Sequence, residues 1–128
     1  MTQFVSIDEI YIIHEAILAA AKGKGGVRDF ALLHSAVERP KATFAGQDLS
    51  PTHFSKAAAL LQSLCMNHAF TDGNKRTAFE STKRFLWING YHLKAKTKDA
   101  ADFMVMVDNQ KPDLPEIARW LRLHSKKI

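Results

Sequence analysis

Apolar residues in this chain recur at three- and four-residue spacing, in blocks cut apart by glycine, proline and aspartate breaks, and nothing alternates with period two over a useful length. That pattern predicts short helices sharing one core, an all-α bundle. Ser6 is placed to cap a first helix, with Asp8 and Glu9 at the positive end of its dipole. Ile10, His14, Ile17, Leu18 and Ala21 then fall on one face, and Gly23, Gly25 and Gly26 end the helix. Asp29 caps a second helix carrying Leu32, Leu33, Ala36 and Val37, stopped at Arg39-Pro40. Residues 42–49 lack a helical period and contain Gly46, which predicts an irregular loop or small hairpin. Ser50-Pro51 predicts the start of a third helix, whose stripe runs through Phe54, Ala57, Ala58, Leu61, Leu64 and Cys65 toward His68. After a break at Thr71-Asp72-Gly73, a fourth helix is expected from about Lys75 to Asn89, ended by Gly90. Thr97 opens a fifth that buries Phe103 and Val107. Asp113-Leu114-Pro115-Glu116 reads as a capping box before a last helix with Ile117, Trp120, Leu121 and His124. Only Tyr91 to Ala95 hints at a strand.

Several function classes drop out on composition. The 128 residues leave room for one domain, and 46% hydrophobic against 24% charged residues is a globular balance. A lone cysteine, Cys65, excludes an internal disulfide framework and a multi-cysteine zinc or iron–sulfur site; on an apolar stripe it reads as a buried thiol. No apolar run has the length to cross a bilayer, and Met1-Thr2-Gln3-Phe4 lacks the basic and apolar segments of a secretory signal, so a cytoplasmic protein with no membrane role is expected. The net charge of +5 suits phosphate-bearing or acidic partners. Its two clusters, Lys94, Lys96 and Lys98, and Arg119, Arg122, Lys126 and Lys127, are not interleaved with aromatics in the way of single-strand binders. They read as solvated faces and a tail, and a nucleic-acid partner is not expected.

Chemistry concentrates in His68-Ala69-Phe70-Thr71-Asp72-Gly73-Asn74-Lys75-Arg76-Thr77. A helix starting near Asn74 or Lys75 presents unpaired N–H groups and the positive end of its dipole, which makes an anion site. Gly73 permits a positive φ and a close backbone approach. Lys75 and Arg76 in a first helical turn oppose the dipole, a conflict that bound polyphosphate would remove. His68 is the one group here suited to general-base work, Asp72 is a hard oxygen ligand of the kind that holds Mg²⁺ on phosphates, and Phe70 is expected to plug inward and anchor the loop. Taken singly, an Asp-Gly-Asn turn, a histidine or a Lys-Arg pair is ordinarily structural or solvated. The conjunction within ten residues argues otherwise. The Walker loop does not fit, because Asn74 and not glycine precedes Lys75. No third protein ligand stands at a supporting spacing to make His68 and Asp72 a metal centre.

The 68–77 stretch resembles the signature of the Fic/Doc superfamily, specifically its death-on-curing, Doc-like toxin branch. Gly26-Val-Arg-Asp29, Leu32-Leu33, Ser35-Ala36, Glu38-Arg39-Pro40, the run from Lys56 to Leu61 and Asn89-Gly-Tyr91 extend the resemblance over roughly residues 7 to 93. It implies a compact Fic/Doc-type helical bundle with a short flap before the central helices, and a motif loop that grips ATP as co-substrate with Mg²⁺. His68 would deprotonate a hydroxyl on a target protein, Asp72 would hold the metal, and Gly73, Asn74, Lys75 and Arg76 would cradle phosphates. Residues Thr43, Phe44, Ala45, Gly46 and Gln47 occupy the position of the target-docking flap.

Typical Fic adenylyltransferases read His-Pro-Phe-x-Asp/Glu-Gly-Asn-Gly-Arg-x-x-Arg. Here Ala69 replaces Pro, Lys75 the second Gly and Phe79 the second Arg, which deletes a bidentate phosphate clamp and adds a point charge. In Doc-like members that goes with a reversed nucleotide and transfer of the γ-phosphoryl group to a Ser or Thr hydroxyl. AMP transfer and a catalytically silent binding module are the alternatives. Thr77 and Glu80 are candidate modulators. Where some Doc relatives carry Asn near the nucleotide, the Glu80 carboxylate would repel phosphate or join the metal shell, or else sit exposed and pair with Lys83 or Arg84, the reading that the spacing favours. No glutamate has Ser or Thr four residues before it, so the inhibitory pattern of many Fic enzymes is missing. Restraint is expected from a separate antitoxin whose disordered tail folds onto the toxin. The resemblance points to growth arrest through a translation factor such as elongation factor Tu.

Overall fold

The computed structural model describes residues 1–23 and 25–128. Ser6 caps α1 (Ile7–Ala21) with the reciprocal Ser6–Glu9 capping box, and Asp29 caps α2 (Phe30–Glu38) by accepting the Leu32 amide. A single 3₁₀ turn at Arg39–Lys41 leads into a hairpin, β1 (Thr43–Phe44) and β2 (Gln47–Asp48), paired Thr43 to Asp48 and Phe44 to Gln47. Its two-residue turn has Ala45 at φ 52° and Gly46 at φ 79°, the mirror-image turn that suits the twist of paired strands. The hairpin alternative for 42–49 is thus the one realised.

Helix α3 (His53–Met66) begins two residues later than Ser50-Pro51 predicts. Thr52 is the cap: its hydroxyl accepts the Ser55 amide at 3.0 Å while Ser55 Oγ accepts the Thr52 amide at 2.8 Å, a closed box for which Ser50, with His53 three residues on, has no matching partner. Ser50 is buried instead, and its carbonyl accepts from the buried ammonium of Lys56. Helices α4 (Asn74–Ile88), α5 (Thr97–Gln110) and α6 (Leu114–Leu123) follow, the last capped by Asp113.

The core forms where α3 packs on α4 and α6, with Leu60, Leu61, Leu64, Phe85, Leu86, Ile117 and Leu121 all buried. A second antiparallel ladder joins β3 (Tyr91–Leu93) to β4 (Ser125–Lys127). Lys126 and Lys127 therefore belong to a strand, where the sequence suggested a tail. Pairing with a segment 34 residues away leaves no local signal. The molecule is all-α apart from these short ladders, as the periodicity predicts. No helix of the described residues is long and apolar enough to cross a membrane.

Candidate active site

Asn67 caps α3, and the chain then turns through His68, whose φ of 49° is a left-handed conformation that a side chain adopts at a cost. The Arg28 guanidinium holds it there, donating from both Nε (2.9 Å) and Nη2 to the His68 carbonyl. The same segment braces the rest of the loop. The amides of Arg28 and Asp29 donate to the Ala69 carbonyl at 2.7 and 3.1 Å, and the Thr71 amide donates to the Gly26 carbonyl at 3.0 Å. Gly25 fits this contact because it has no side chain: a Cβ there would stand 2.7 Å from Thr71 Cβ.

Phe70 is buried, as expected of an anchor, and stacks on the buried imidazole of His14 from α1 at 3.7 Å between centroids. His14 Nε2–H donates to the Asp72 carbonyl at 2.8 Å. Asn74 closes the loop from the other side, since its Nδ2 donates to the Phe70 carbonyl (2.9 Å) and its Oδ1 accepts the Phe70 amide (3.0 Å). With its side chain committed to the loop, Asn74 offers a phosphate its backbone N–H.

Gly73, at φ 78°, caps α4 without any side-chain bond, and the first intrahelical bond runs from the Thr77 amide to the Gly73 carbonyl. The amides of Asn74, Lys75 and Arg76 find no acceptor among the described residues, which leaves at this helix start the open donors that an anion would need. Lys75 and Arg76 are exposed around it. From there a groove of about 390 Å³ runs between α4 and α5, lined by Lys75, Arg76, Phe79, Glu80, Ala101 and Met104 among others. Its size is within the range of small-ligand sites, and Phe79 gives it an apolar wall where an arginine clamp would stand in the adenylyltransferase pattern.

Asp72 is exposed; its Oδ1 accepts the Gly73 amide at 2.8 Å and Oδ2 has no described partner. Among the described residues no three His, Cys, Asp or Glu side chains converge as a metal cage. Mg²⁺ on a nucleotide asks less, one or two carboxylates with the phosphates supplying the rest, and Asp72 beside open helix amides fits that donor set.

Two expectations about the modulators change. Glu80 makes no ion pair with Lys83 or Arg84 among the described residues, because Arg84 reaches across to Glu9 at 3.2 Å. Glu80 instead lines the groove beside Arg76. Thr77 is fully buried with its hydroxyl unpartnered, and it does not line the groove. The hairpin residues 43–47 share no hydrogen bond or ion pair with the 68–77 loop among the described residues, and Phe44 at the tip is 74% exposed.

One residue that sequence reasoning missed stands at the centre. Asp108, near the end of α5, places Oδ1 at 3.8 Å from His68 Nε2 and Oδ2 at 3.7 Å from Lys75 Nζ. Burial, with this carboxylate adding, pushes the Cys65 thiol up to about 11, so at neutral pH it is an inert thiol and not a nucleophile. Arg28 and His14 were likewise visible only as a loop cation and a helix-face position.

Open amides at the start of a central helix, facing a groove and flanked by a histidine, a carboxylate and two cations, form an arrangement that suits an anionic ligand. Comparison with known proteins gives the family. The model of the Fic/DOC family matches residues 4–86. The chain is 46% identical over 117 residues to "Toxin Doc" of Mycolicibacterium smegmatis, covering 87% of this chain and 90% of that one. It is 27% identical over 118 residues to "Protein kinase doc" of Escherichia phage P1, covering 92% of each. The chain belongs to the Fic/DOC family, as a Doc-like member.

Proposed function

We propose that this chain is a Doc-type toxin that transfers the γ-phosphoryl group of ATP to a Ser or Thr hydroxyl of a target protein. The observation that carries the reading is the pair of departures from the AMP-transfer pattern: Lys75 sets an ammonium at the open amides, 3.7 Å from Asp108, and Phe79 lines the groove in place of an arginine clamp. The phage P1 relative, named a protein kinase, supports the same direction.

The His68 imidazole, half exposed at the mouth of the loop, takes the proton of the target hydroxyl. The hydroxyl oxygen bonds to the γ-phosphorus as the bond from that phosphorus to the β–γ bridging oxygen breaks, and ADP leaves with that electron pair. The amides of Asn74, Lys75 and Arg76 and the two cationic side chains offset charge on the phosphate oxygens. Mg²⁺, held by Asp72 and the nucleotide, would supply further neutralisation of the triphosphate. The 43–47 hairpin offers unpaired strand edges and Phe44 for docking a target backbone. A translation factor such as elongation factor Tu, in the cytoplasm, is the proposed target.

The proposed antitoxin has a matching surface. A groove of about 690 Å³ between α1 and α4 has Ile13, Ile17 and Trp87 in its lining and Arg76, Lys83 and Arg84 among its cations. An amphipathic segment with acidic residues suits it. Arg76, Glu80 and Lys83 line this groove and the α4–α5 groove alike, so an occupant of one perturbs the residues of the other.

The test is induction of the chain and of His68→Ala without an antitoxin, followed by weighing abundant translation proteins intact. A gain of one phosphate on one protein, with growth arrest, is expected from the wild type alone. A gain of AMP mass moves the reaction to adenylylation. Equal arrest by both forms with no covalent mark leaves the binding module.

A further inference from the structure

We infer that Asp108 is a positioning residue for the transfer reaction, its carboxylate holding the His68 imidazole on one side and the Lys75 ammonium on the other. The inference rests on the phosphoryl-transfer reading of the site and adds a residue to it. Three observations converge.

The first is geometric. One carboxylate stands 3.8 Å from His68 Nε2 through Oδ1 and 3.7 Å from Lys75 Nζ through Oδ2, so each oxygen faces one group. These are contacts between charges and not yet hydrogen bonds; separations of this kind close when a substrate completes a site.

The second is local electrostatics. Asp108 sits in the last turn of α5, where the helix carbonyls are already negative, and Lys75 sits in the first turn of α4, where the amides are already positive. Each charge is at the wrong end of its own helix, and each finds compensation in the other. Lys111, just past α5, donates to the Asp108 backbone carbonyl at 3.0 Å and not to its carboxylate. Two local rules broken together at one contact mark a functional site more than a stabilising one.

The third is the charge balance of the reaction. When His68 takes the hydroxyl proton it becomes a cation among cations: Lys75 shares its carboxylate partner, Arg28 grips its own carbonyl, and Arg76 follows in the same helical turn. Asp108, at 23% side-chain exposure, is the one anion among the described residues within 4 Å of that imidazole. Its negative charge faces the ring on which positive charge forms during the transfer, and it keeps Lys75 at the mouth of the groove. A base unsupported in this way would face Lys75 alone.

The sign of two measurements separates this role from a merely structural one. Asp108→Asn keeps the shape and removes the charge, so nucleotide affinity, read by titration of the purified chain with ATP and Mg²⁺, should hold or rise, since Lys75 loses its competing anion. The rate at which the phosphate mark accumulates on the target, measured by intact mass, should fall about tenfold or more. Asp108→Glu should recover much of that rate. Affinity and rate falling together in Asp108→Asn would show that the residue only holds α5 against α4, and a His68-dependent mark that forms as fast in Asp108→Asn would overturn the proposal alone. A wild-type chain that leaves no His68-dependent mark overturns the phosphoryl-transfer reading, and this proposal with it.

Discussion

His14 shows how much of the site rests on side chains that never meet a ligand. Its ring stacks on Phe70 at 3.7 Å and its Nε2–H holds the Asp72 carbonyl at 2.8 Å, so one buried residue of α1 fixes both the anchor and the backbone at Asp72, the proposed metal ligand. His14→Ala should lower stability by about 3 kcal/mol, from the lost stack, the cavity and an unpaired carbonyl, measured by denaturant unfolding. A loss under about 0.5 kcal/mol, the range of ordinary surface changes, would mean that the loop holds itself. The sequence marked His14 only as one more position on the apolar face of a helix, because its partners lie 56 and 58 residues further on. Asp108 was hidden in the same way, far along the chain from His68 and Lys75. For Asn74 the place in the motif was plain, while the bonds of its side-chain amide to Phe70 arise only in the folded loop.

At the scale of elements, helix starts were the most legible feature. Ser6, Asp29 and Asp113 cap α1, α2 and α6 where the sequence puts them, because a cap is a local contest among a few amides. The start of α3 slipped by two residues since Thr52 and Ser55 close a box that a scan for proline in the first turn overlooks. The β3–β4 ladder was unreadable, three residues pairing with three across the whole of α5 and α6. The junction into α4 carries a prediction of its own. Gly73 caps that helix at φ 78°, and a Cβ there would meet only ordinary contacts at 3.6 Å and beyond, so Gly73→Ala meets a conformational cost rather than a clash. The variant should lose about 1–2 kcal/mol in thermal or denaturant unfolding. A neutral result would show that the loop relaxes to a negative φ.

For the whole molecule, the excess of +5 becomes informative only where the fold gathers it: Lys75 and Arg76 at the open amides of α4, with Lys83 a few residues on between two grooves. Composition alone admitted a phosphate-bearing partner and could not locate it. The family was legible because the motif and its helix start are contiguous, whereas the braces from α1, the 25–29 segment and α5 arrive through folding. The central claim is the identity of the group transferred. The purified chain would be added to a cell lysate in two parallel reactions, one with ATP labelled at the γ-phosphate and one with ATP labelled at the α-phosphate, with His68→Ala as the control. The account predicts γ-label on a single protein band, no α-label, and neither with His68→Ala; α-label on that band would contradict it.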